Sequence, residues 1–212
     1  MNNSEERLIQ ALEDLKSGRP IIVVDAMDRE WEGDIVLSAE KATKESLVFT
    51  MLHARGLMCL PCESDSLERL QIPIMVEKTT DPLETPFTVS IDGMKTGTGM
   101  SVDDRMETIR VMLDENSKPE DLKRPGHLFP LRARKGLLEE RQGHTEASVA
   151  LMKLAGLKPV AVICEIMNDD GSMKKGEQLE MYAKVYNLTL ISVEEIREAM
   201  RKVNTTTITI PW

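Results

Sequence analysis

The chain of 212 residues is 41% hydrophobic and 30% charged, ordinary for a globular protein and long enough to bury a core without disulfide or metal staples. Its formal charge of −9 argues against a basic surface for nucleic acid or anionic membrane, and no run approaches the roughly 18 to 20 apolar residues of a membrane span. The acidic, polar start "MNNSEERLIQ" lacks the layout of a signal peptide, so the expectation is one soluble cytoplasmic domain over residues 1–212.

Leu8, Leu12 and Leu15 predict a helix over 4–16, with Ser4 as its N-cap and Gly18 and Pro20 as its stop. "IIVVD" (21–25) is apolar and β-branched, as suits a strand covered on both faces. Leu47, Val48, Met51 and Leu52 predict a helix over 43–53, and "LMCL" (57–60) reads as a strand. "FTVSID" (87–92) alternates Phe87, Val89 and Ile91, the pattern of an antiparallel strand with one solvated face. Ser101, with Asp104 three residues on, opens a helix striped by Met106, Ile109 and Leu113. A helix over 144–155 and a second apolar strand, "VAVICEI" (160–166), follow a loop punctuated by Pro and Gly. Helix 176–186, strand 188–193 and helix 194–202, opened by a Ser192/Glu195 capping box, complete the body. The "TTTITI" tail, loose from about residue 203, suits an edge strand or a free end. These elements describe an α+β, single layered domain: a mixed twisted β-sheet covered by helices on both faces.

The three cysteines, an odd number, suit a reducing compartment, and "CLPC" (59–62) lacks both a second ligand pair and a helix start. Four other stretches carry more polar groups than a surface needs. "DREWEGD" (28–34) sets Asp28, Glu30, Glu32 and Asp34 at the mouth of a buried strand, where αβ sheets form ligand sites. Such crowding is relieved by solvent, by Arg29 or by a divalent cation. "RQGHTEA" (141–147) opens a helix whose first N–H groups, with Arg141 and Thr145, suit a phosphate, while His144 suits a metal. "RPGHLFP" (124–130) holds His127 in a rigid turn between prolines, fit for acid–base work. In "CEIMNDDG" (164–171), Glu165 ends an apolar strand, where a carboxylate is costly unless partnered. A Thr/Gly loop, "KTGTGMS" (95–101), could hold anionic oxygens. Each also fits a plain solvated loop, capped helix or turn. Together they suit a phosphorylated polyol or keto-sugar.

In this order "DREWEGD", "TGTGMSVDDRMETIR", "RPGHLFPLRA", "RQGHTEASVALMKLAG" and "CEIMNDDG" closely resemble the 3,4-dihydroxy-2-butanone 4-phosphate synthase family, from about residue 5 to about residue 200. The resemblance stops short of the GTP cyclohydrolase II domain of fused members. It implies a monofunctional lyase of riboflavin biosynthesis that converts D-ribulose 5-phosphate to formate and 3,4-dihydroxy-2-butanone 4-phosphate. The route runs through an enediol whose neighbouring oxygens chelate Mg²⁺ or Mn²⁺. It further implies a homodimer with sites near the subunit interface. Carried over by position, Glu30 and His144 bind metal, and Arg29, Asp34 and Gln142 contact substrate. Arg141, Gly143 and Thr145 hold its phosphate with Thr98 as a helper, His127 and Glu165 move protons, and Asp25 and Cys59 line the site. Trp31 departs from the family, which usually has Asn there, and Cys62 has no expected counterpart. A pentose-phosphate isomerase or epimerase would share the enediol and keep all five carbons. A non-catalytic sugar-phosphate-binding module could dispense with His127 and Glu165.

Overall fold

The structure is a computed structural model and describes residues 3–206. In chain order its elements are α1 (Asn3–Lys16), β1 (Ile21–Val24), β2 (Gly33–Ser38), α2 (Lys44–His53), β3 (Cys59–Cys62), α3 (Ser64–Arg69) and β4 (Ile91–Gly93). There follow α4 (Val102–Leu113), β5 (Leu122–Arg132), α5 (His144–Leu154), β6 (Ala161–Glu165), α6 (Glu177–Tyr186), β7 (Leu190–Ser192) and α7 (Val193–Thr206).

The seven strands form one sheet in the order β4-β5-β3-β6-β2-β1-β7. Only β1 with β7 and β3 with β5 are parallel; the other neighbours are antiparallel, so the sheet is mixed. Strand periodicity sorts its apolar residues into two layers. Ile21, Val23, Val36, Cys59 and Ile163 pack with Ala11 of α1, Leu151 of α5 and Ile196 of α7. On the other face Leu37, Leu60 and Val162 meet Leu47 of α2, Leu67 of α3 and Ile109 of α4. Beside them Ile22, Ile35 and Cys164 meet Leu179 and Tyr182 of α6. The central strands are therefore apolar on both sides, as "IIVVD" and "VAVICEI" predict.

Several expected boundaries move. Ser4 lies inside α1, which begins at Asn3, and does not cap it. The strand expected at 57–60 is shifted to Cys59–Cys62. Of "FTVSID" only Ile91 and Asp92 enter β4, while Phe87 and Thr88 make isolated bridges to Leu131 and Ile74. Helix α7 runs to Thr206, past the expected onset of the tail, and residues 207–212 lie outside the described residues. Strand β2 and helix α3 were not expected at all, because the acidic run before β2 and the Pro before α3 hide short elements.

"RPGHLFP" is the main correction. It belongs to the long strand β5, with its polar part forced out of register. Leu128 pairs with Ile91 and Lys123 with Asp92, so residues 124–127 bulge opposite a single step of β4. Pro125, which has no N–H for a ladder, is tolerated in such a bulge. Gly126 is obligatory there, since a Cβ would overlap the Ile91–Asp92 backbone. The "CLPC" pair is settled by geometry as well. Three residues apart in a strand, Cys59 and Cys62 enter opposite layers, and all three cysteines are free and buried. Burial pushes the Cys62 and Cys164 thiols up to about 12, away from thiolate chemistry.

Candidate active site

The acidic stretch is the loop of the β1–β2 hairpin, since Val24 pairs with Gly33. Asp25 staples its base: one carboxylate oxygen accepts from Glu32 N at 2.9 Å and the other from Arg29 Nη1 at 2.6 Å. Arg29 also donates to Glu30. Asp34 follows on β2 and pairs across the sheet with Glu165, the last residue of β6. Two carboxylates thus sit side by side on adjacent strands. Burial, then the charges of Glu165, Glu30 and Asp25, holds Asp34 well above the usual carboxylate range.

His144, the first residue of α5, faces this group. Its Nδ1 lies 4.0 Å from Asp34 Oδ1, and its Nε2 is buried with no hydrogen-bond partner among the described residues. Burial pushes the imidazole down from its ordinary value, which favours the neutral ring and a free lone pair. Burial also raises Glu30, with Arg29 opposing it. One ligand atom each from Asp25, Glu30 and His144 lie within 4.8 Å of one another. An orphaned buried imidazole nitrogen among carboxylates is the donor set of a divalent metal.

The N-terminus of α5 supplies the opposite charge. Its cap, Gly143, has no side chain to satisfy the first helical N–H groups. A Cβ at Gly143 would overlap the Arg141 guanidinium and come 3.2 Å from Arg29 Nη2, so glycine lets two guanidinium groups converge there. Arg141 is itself anchored, donating to Glu146 Oε2 at 2.6 Å, Leu83 O at 3.0 Å and Thr85 Oγ1 at 3.2 Å. Glu165 has one oxygen fixed by Leu57 N at 2.7 Å. Gly56 permits that approach, because a Cβ would overlap the carboxylate.

A cavity of ≈ 80 Å³ brings together Arg29, Glu30, Asp34, Cys59, Arg141, His144, Thr145 and Glu165 from the sequence-predicted set. Asp25 stands behind at the base of the loop. Gln142 is exposed and faces a neighbouring groove with Asp28 and Leu83, so the structure does not bring it to the cavity. Thr98 and His127 stand apart too. His127 Nδ1 meets Asp92 Oδ2 at 2.7 Å, its side chain is 45% exposed, and Gly99 packs against both. Strand β3 separates β5, which carries His127, from β6, which carries Glu165, about 10 Å at two strand spacings. Among the described residues His127 hydrogen-bonds to Asp92 and Glu165 accepts from Leu57 N, and no hydrogen bond joins His127 to Glu165 within the chain.

Sequence reasoning gave Glu32 no role of its own and missed Thr85 and Phe87, all three of which line the cavity, and missed Glu146 and Asp92, which hold Arg141 and His127. Asp92 had a signal, as a carboxylate at the end of an alternating strand; Thr85 and Phe87 had none. His53, the last residue of α2, meets the Tyr186 hydroxyl at 3.0 Å in an aromatic cluster.

Residues 9–199 match the family model of 3,4-dihydroxy-2-butanone 4-phosphate synthase. The chain belongs to this synthase family. It is 43% identical over 194 residues to the 3,4-dihydroxy-2-butanone 4-phosphate synthase of Photorhabdus laumondii, covering 91% of this chain and 89% of that one. It is 47% identical over 196 residues to the monofunctional riboflavin biosynthesis protein RIBA 2, chloroplastic, of Arabidopsis thaliana, of whose length it spans 41%. A crystal structure of 3,4-dihydroxy-2-butanone 4-phosphate synthase in complex with two magnesium ions superposes with a TM-score of 0.88 at 35% identity, covering 93% of this chain and 97% of that one. The α+β fold of this synthase is therefore that of its relatives. Among its described residues no helix is long and apolar enough to cross a membrane.

Proposed function

We propose that this synthase converts D-ribulose 5-phosphate to formate and 3,4-dihydroxy-2-butanone 4-phosphate, a lyase step of riboflavin biosynthesis, in a cytoplasmic setting and with Mg²⁺ or Mn²⁺. The observation that carries the reading is the buried, unpartnered His144 Nε2 among Asp25 and Glu30. Glu30 and His144 would hold the metal, which when bound supplies Lewis acidity and a template for adjacent substrate oxygens. Arg29, Arg141, Thr145 and the first N–H groups of α5 would bind the phosphate, since anions suit a helix N-terminus flanked by guanidinium groups.

Glu165, with one oxygen tied to Leu57 N, would take the C3 proton on the other and so form the enediol. Asp34, whose burial and carboxylate neighbours favour the protonated form, would donate to a substrate hydroxyl. Loss of the C1 hydroxyl as water, migration of a carbon and hydrolysis of the C4 fragment as formate then balance the equation. His127 and Thr98 would reach the cavity of a second copy of the chain, which makes the working unit a homodimer. Their exposure, beside Met94 and Met100, each 50% exposed, supports this.

The test is formate release from D-ribulose 5-phosphate with Mg²⁺, with and without EDTA. Formate that disappears with EDTA is expected. Sugar binding without formate, or a product that keeps all five carbons, would overturn the reading.

A further inference from the structure

The acidic loop is gripped at its tip by a segment that the chemistry above does not use. Trp31 has φ 55°, the left-handed region that bulky residues avoid, and its N–H donates to Ala26 O at 3.2 Å within the loop. The indole lies against Gly176, whose own φ is 49° and where a Cβ would overlap the ring. The preceding residue completes the grip. Lys175 Nζ donates to the Glu30 carbonyl at 2.9 Å and ion-pairs with Glu32 at 3.1 Å, and the two backbones bridge at Glu32 and Lys175. Three successive loop residues, 30 to 32, are thus held by two residues of the segment after β6.

That segment is itself fixed to the site. Lys174 N donates to Ile166 O at 2.9 Å, Lys174 Nζ donates to Asn168 Oδ1 at 2.6 Å, and Met167 bridges Met173. It continues directly from β6, whose last residue is Glu165. Loop and strand are therefore tied by a contact outside the cavity.

We propose that Trp31, seated on Gly176 and braced by Lys175, is a positioning latch that holds the Glu30 carboxylate toward His144, so that divalent-metal affinity depends on it. The proposal rests on Glu30 and His144 being metal ligands, as argued above. The latch does not touch the reacting atoms. Its loss weakens metal binding and loosens the loop, and turnover recovers once metal saturates.

The test compares wild type, Trp31→Asn, Lys175→Met and Glu30→Gln. Asn tolerates φ > 0, so Trp31→Asn removes the ring without adding backbone strain. Amide hydrogen exchange over residues 26–32, read without metal, and Mn²⁺ affinity by calorimetry are the two readouts. Faster exchange and a 5-fold or larger loss of Mn²⁺ affinity in both latch variants, with kcat at saturating metal within about 3-fold of wild type, is expected. Wild-type exchange and affinity in Trp31→Asn, while Glu30→Gln loses metal, would overturn the latch alone. Unchanged Mn²⁺ binding in Glu30→Gln would overturn the metal assignment beneath it. A raised KM for the sugar at saturating metal, with Mn²⁺ affinity unchanged, would make Trp31 a substrate contact and also overturn the latch.

Discussion

Asp34→Asn should make the protein more stable and less active. Asp34 is 3% exposed, pairs across the sheet with Glu165, and among the described residues has no cationic side chain nearer than His144 Nδ1 at 4.0 Å, a ring that burial pushes toward neutral. An ionised carboxylate there is buried without compensation, and a neutral amide of the same shape should recover about 1–3 kcal/mol at pH 8. In a chain of 212 residues that corresponds to roughly 3–10 °C in Tm. The pH dependence carries the sign. Because the folded carboxyl is raised, the stability it confers is full below the unfolded value of about 3.9 and is lost as pH climbs through the folded value. Asn cannot titrate, so the advantage of the variant should widen from pH 5 to pH 8. Thermal melts in EDTA at both pH values, with formate release beside them, make the comparison. A variant that melts lower at pH 8, or has the same advantage at both pH values, would refute the argument; so would wild-type turnover.

Glu165→Gln should lower kcat by about 10²–10⁴ while calorimetry still detects sugar binding; near-normal turnover would remove Glu165 from its role. His127→Ala and Glu165→Gln should each be inactive alone. Mixed under subunit exchange they should recover about a quarter of wild-type activity if His127 serves the neighbouring copy, and none if each site is built from one chain. Gly126→Ala should lose about 2–4 kcal/mol in urea unfolding, because the new Cβ overlaps the Ile91–Asp92 backbone. The His144 imidazole is depressed by burial, so metal-free stability should fall as pH drops below the unfolded value of about 6.5. His144→Gln should flatten that fall, and an equally steep loss in the variant would assign it to other groups.

Hydrophobic patterning and motif order already specify the layers and name most residues of the cavity. Doubly apolar strands such as "IIVVD" and "VAVICEI" can only lie inside a sheet covered on both faces. Five motifs in order were enough to place the chain in its family and to nominate Arg29, Glu30, Asp34, Arg141, His144, Thr145 and Glu165. Asp34 lies on β2, His144 and Thr145 open α5 and Glu165 ends β6, while Arg29, Glu30 and Arg141 come from the adjoining loops, and one cavity gathers all seven. Tertiary structure decided the rest, since it depends on partners distant in the chain. The register of β2 against β6 sets Asp34 beside Glu165, 131 residues away, and burial there, with the neighbouring Glu165 charge second, raises the Asp34 carboxyl. The bulge of β5 against β4 turns a presumed turn into a strand and delivers His127 to Asp92, not to Glu165. In "DREWEGD" local sequence supplies the charge, but the Trp31 indole packs against Gly176, distant in the chain, and no local propensity could have announced that contact.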